Sequence, residues 1–163
     1  MLYRILISAL IFFSMINSAK SKEYNVEKSS GMVFSKNTHI VESVKFCIAE
    51  YPSKKSIYKK ELLEWSERHK HILDTVKKKM AQLSKDRPIV MANVKLGIKS
   101  FIEKSIDTIF GLSPGRSCKL LLKELIGKKR ELSICCAHDV ETLELYRKYP
   151  ERWDKKNLTN ASD

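Results

Sequence analysis

The residues best suited to chemistry in this chain are four cysteines and four histidines. Cys135 and Cys136 stand side by side near the C-terminus with His138 two residues on, while Cys47 and Cys118 lie far upstream. Such a set fits three chemistries. A metal centre would use Cys135, Cys136 and His138, with Cys118 as a fourth ligand. Zinc sites, however, place residues between paired cysteines so that both sulfurs converge on one ion. A thiol-redox site needs Cys-x-x-Cys at a helix start, which this chain lacks. The third chemistry is structural bridging. A bond between Cys135 and Cys136 departs from ordinary disulfide geometry. Two connectivities then remain: Cys47–Cys135 with Cys118–Cys136, or Cys47–Cys136 with Cys118–Cys135. Two structural disulfides are expected, and one bridge with a spare thiol pair is the weaker variant.

The other titratable groups point to no enzyme. Glu67, His71 and Asp74 stand at i, i+4 and i+7, where a weak metal site competes with a solvated charged face beside Arg68, Lys70 and Lys78. His69 falls on an apolar stripe and reads as a hydrogen-bonded core histidine. His39 stands alone near a helix start. The chain has no G-x-S-x-G, no H-E-x-x-H and no phosphate-cradling glycine loop. No catalytic residue, metal or cofactor is expected.

Charge is the stronger signal. Lys and Arg number 31 against 19 Asp and Glu, a formal net charge of +12. That balance favours anionic partners, such as acidic proteins or lipopolysaccharide and phospholipid surfaces. Lys77, Lys78 and Lys79, and Lys128, Lys129 and Arg130, are the candidate contacts for an anionic surface. The basic clusters lack interleaved aromatics for base stacking, so nucleic acid is not an expected partner. Asn157-Leu158-Thr159 and Asn160-Ala161-Ser162 match the glycosylation sequon.

The elements that must position these groups read as helices. Residues 1–19 have a charged start, an apolar run and small residues near Ala19, the pattern of a secretory signal peptide. No later stretch is long and apolar enough to span a membrane. Residues 20–37 read as a flexible lead-in, 38–150 as one helical domain and 151–163 as a polar tail. The first helix is expected from Thr38 to Tyr51, ended by Pro52. A single long helix follows from Ser56 to Ser84, its stripe running Tyr58, Leu62, Trp65, His69, Ile72, Val76, Met80 and Leu83. The third, from Pro88 to Phe110, is expected to bury Met91, Val94, Ile98, Phe101, Ile102, Ile109 and Phe110. A fourth carries Cys118, Leu121, Leu122 and Leu125 and stops at Gly127. A last one runs from Val140 to Tyr149. The fold class is all-α, a single small bundle of about five helices, stapled by disulfides.

Two local patterns carry a resemblance. Phe46-Cys47, Tyr51-Pro52 and the Leu62 to Arg68 segment with Trp65 resemble small exported helical proteins of Gram-negative bacteria. Cys118, Gly127, Cys135, Val140, Leu143 and Tyr149-Pro150-Glu151 resemble the C-terminal half of the Tai type of periplasmic immunity protein. Those proteins are helical, disulfide-bearing inhibitors of type VI secretion amidase toxins. The resemblance implies a periplasmic protein that acts by binding a protein partner, without enzymatic activity.

Overall fold

The computed structural model describes residues 24–154. The proposed signal segment, and the tail beyond Asp154 with its two sequons, lie outside them. In chain order the elements are α1 (Val26–Glu50), a 3-10 turn (Pro52–Lys54), α2 (Lys55–Arg68), α3 (Lys70–Asp86) and α4 (Pro88–Ile109). They continue with α5 (Pro114–Ile126), α6 (Leu132–Cys135), α7 (Ala137–Lys148) and α8 (Glu151–Asp154). Among the described residues the fold is all-α without strands, and its eight α-helices exceed the expected five.

The axis of the bundle is α1, and it begins well before Thr38. The Asn25 side chain accepts the Lys28 N–H at 2.9 Å, and Glu27 sits in the first turn, an arrangement that satisfies an orphan donor and suits the helix dipole. Residues 26–37, expected to be a flexible lead-in, are therefore helical. Their buried face uses Val26, Ser29, Ser30 and Val33, and the serines hid that face from a hydrophobicity reading. Small side chains there let α7 approach, and Ser29 Oγ donates to Asp139 Oδ1 at 2.8 Å. Further along, Ile40, Val44 and Cys47 continue the same stripe. α1 packs against α2, α3, α4, α5 and α7.

The expected long second helix is divided. Backbone regularity breaks at His69 (φ −106°, ψ 6°), between α2 and α3. The bend costs little hydrogen bonding. The His69 N–H is shared between the Trp65 and Ser66 carbonyls at 3.3 Å, and the His69 carbonyl accepts from Ile72 and Leu73 at 3.0 Å. What holds the bend is a side-chain cluster. Trp65 is fully buried, its ring centre 4.8 Å from that of His69, and its indole N–H donates to the Arg130 carbonyl at 3.0 Å. The chain from Gly127 to Leu132 thus closes over the α2–α3 junction. Lys128 takes a left-handed conformation there, at φ 54°. Gly127 ends α5 as expected, with φ −77° rather than a left-handed conformation.

The second half of the chain closes the core. Leu125, Leu132 and Leu143 from α5, α6 and α7 are buried with Ile72 and Ile102. Leu132 to Cys135, the most strand-like run in the sequence, forms a short helical turn. Glu151 to Asp154, placed in the expected polar tail, forms another, with Trp153 packed against the core.

Candidate binding face and thiol pair

Cys47 and Cys118 are bonded to each other, with Cα atoms 5.5 Å apart. Both expected connectivities are therefore corrected. The reason is distance along α1. The start of α7 is fixed at Ser29 through Asp139, and roughly 27 Å of helix separates Ser29 from Cys47 at 1.5 Å per residue. A disulfide needs Cα atoms within about 7 Å, so Cys135 and Cys136 sit at the wrong end of α1. Cys118 instead faces Cys47 from α5. Tyr58 of α2, buried beside them, donates to the Cys118 carbonyl at 2.9 Å.

The structure thus has one bridge and a thiol pair. Cys135 is exposed and Cys136 is buried. Burial pushes the Cys136 thiol up to about 12, reinforced by its hydrogen bond with Cys135. At neutral pH it is protonated. His138, grouped with the pair in sequence, is turned toward Tyr24, with ring centres 5.2 Å apart. Among the described residues no three or more His, Cys, Asp or Glu side chains are grouped to hold a metal.

The remaining sequence candidates are dispersed. Glu67 lies on α2, while His71 and Asp74 lie on α3, so the break at His69 removes their common face. His71 Nε2 instead meets Glu144 Oε1 of α7 at 2.7 Å. His69 is buried, its Nε2 2.8 Å from Glu131 Oε2, and Arg68 Nη2 reaches Glu131 Oε1 at 2.9 Å. With Nε2 donating to the carboxylate, the Leu132 N–H at 3.5 Å from the same nitrogen is not a competing hydrogen bond. Burial lowers the His69 pKa, opposed by the Glu131 charge. His39 Nε2 lies 3.2 Å from Ser105 Oγ of α4, and burial, then Lys36 and Arg130, lowers its pKa.

The basic clusters lose members to the fold. Lys77 and Lys78 are exposed, but Lys79 is buried, with Nζ 5.7 Å from the centre of the Tyr146 ring and 3.4 Å from Gln82 Oε1. Lys128 and Lys129 are exposed, whereas Arg130 is half-buried and paired with Glu124. Lys79 and Arg130 are therefore corrected as free surface contacts.

What sequence reading missed is the exposed apolar surface of α4. Only Met91, Ile102 and Ile106 of this helix are buried, with Phe110 just beyond it. Val94, Phe101 and Ile109, expected inside, are exposed. So are Ile89 at 78%, Val90, Leu96 at 65% and, in the following loop, Leu112 at 86%; Phe101 is 65% exposed. The signal lay in the surplus of apolar residues. α4 carries Ile89, Val90, Met91, Val94, Leu96, Ile98, Phe101, Ile102, Ile106 and Ile109, more than one core-facing stripe can hold. An open groove of about 410 Å³ runs beside it, with Phe34, Leu73, Val76 and Met80 in its walls and Lys77 and Lys95 among its polar lining.

Comparison with protein-family models, curated proteins and solved structures finds no match. No helix of the described residues is long and apolar enough to cross a membrane.

Proposed function

We propose that this protein is an exported, non-enzymatic helical protein that acts by binding through the exposed apolar face of α4. The observation supporting this is the density of exposed Ile, Val, Leu and Phe side chains from Ile89 to Leu112. Contiguous apolar surface on a folded domain marks a contact site. The resemblance to periplasmic immunity proteins gives the specific form of the reading, inhibition of a secreted toxin; the net charge of +12 gives another, contact with an anionic envelope surface. A photo-crosslinking residue at Val94, activated in intact envelope preparations, tests whether α4 is the contact. Adducts that Phe101→Asp abolishes support the reading; adducts that form only from positions on other helices refute it.

The free thiols favour a second reading. Cys135 is accessible and the adjacent Cys136 is buried, so the pair has the makings of a thiol-exchange or soft-metal site. Mass mapping without reduction separates this role from a bridging one, since only free thiols at both positions are compatible with it.

A further inference from the structure

We propose that the partner of α4 is an anionic lipid bilayer, with the helix lying in its interface; this rests on α4 being the contact surface. Three features of α4 lead there.

The first is the breadth of its apolar surface. Val90, Val94, Gly97 and Phe101 stand at i, i+4, i+7 and i+11 and share one face, and Ile89 and Leu96, seven apart, share another, with Asn93 and Ser100 between the two. A helix pairing with a second copy needs only a narrow seam. Two apolar flanks set apart by small polar residues suit a medium that deforms around them better than a single seam does. Among the described residues no atom lies within 4 Å of a Cβ added at Gly97.

The second is charge. From Pro88 to Ile102 the helix carries Lys95 and Lys99 and no acid, with Lys85 before it and Lys104 after it. Lys95 makes one contact, to Ser84 Oγ at 3.3 Å. Lys99 pairs with Glu103 at 3.8 Å, both largely exposed. Asp86, Glu103 and Asp107 are the nearby acids. A formal charge of +12 per chain repels a second copy and attracts anionic headgroups.

The third is length. At 22 residues, α4 extends about 33 Å, yet it is not apolar enough to span a bilayer. Its lysines can stay at the headgroups while Ile89, Leu96 and Phe101 enter the acyl region, as interfacial helices do.

The test uses the full chain with phosphatidylglycerol–phosphatidylcholine vesicles, and with phosphatidylcholine vesicles alone. Phe101→Trp is expected to shift its emission to the blue only with the anionic vesicles. Phe101→Asp combined with Leu96→Asp should lower partitioning at least about tenfold, since it removes two large apolar side chains from the contact. Added salt should weaken binding. Circular dichroism and melting of each variant verify the fold. Co-sedimentation with no blue shift, and no effect of the Asp pair, indicates diffuse lysine adsorption and overturns the proposal. An absence of vesicle binding overturns it too; Val94 crosslinks to a protein would then preserve the α4 reading, and their absence would remove both. A dimer dispersed by Phe101→Asp would assign the face to a second copy and refute the lipid partner.

Discussion

His69 and Glu131 meet at 2.8 Å across the bend between α2 and α3, and Arg68 grips the other oxygen of the same carboxylate. One acid from the α5–α6 loop thus holds two consecutive residues at the point where regular helix fails. Glu131→Ala should destabilise the fold by about 1–3 kcal/mol, because it strips a charged acceptor from two partly buried donors. Glu131→Gln should cost less. Urea unfolding of both variants measures the difference; equal stability of wild type and Glu131→Ala would show that the bend is held elsewhere.

Acid should weaken the protein. His69 and His39 both have pKa values held below 6.5, chiefly by burial. The unfolded chain therefore binds more protons than the folded one between the folded values and 6.5, so stability rises with pH across that window. Lowering the pH from 7 toward 5 should lower the melting temperature, with the loss beginning near 6.5. Replacing both histidines with Gln should flatten that slope, a result that melts at several pH values can check directly.

Cys47→Ser should lower stability by about 2–5 kcal/mol, because it opens a loop closed across 71 residues. Cys135→Ser should change it far less. Thiol titration of the denatured, unreduced wild type should count two free thiols. A count of zero would mean that the thiol pair is also oxidised.

Two glycines should respond in opposite directions. Gly97→Ala meets open space and should stabilise α4 by about 0.5–1 kcal/mol through helix propensity. Gly111→Ala would drive its methyl onto the Asp107 carbonyl oxygen and should destabilise. Thermal melts of the two variants suffice.

Helical periodicity made the class of the fold legible, together with the inward positions of Tyr58, Trp65, Ile72, Leu121 and Leu125. It failed where small or polar residues do the packing. Ser29 and Ser30 made the start of α1 look like a loop, although close approach to α7 requires small side chains there. It also treated His69 as one more residue of a continuous stripe, because nothing local announces a bend held by Glu131, 62 positions away. The cysteine pairing depended on distance along α1, which requires knowing which end of α1 meets α7. For the candidate contact face, α4's surplus of apolar residues was visible, but which of them the core would claim was not.

The hydrogen bond between Ser29 and Asp139 joins residues 110 positions apart. The central helix therefore packs against α7 as well as against α2, α3, α4 and α5. Local helices can form early, but the end of α1 around Ser29 must wait for α7 to complete its shelter. Closure over so long a loop is entropically slow. Until then that end of α1 lacks part of its cover, which makes chains caught at this stage prone to aggregate.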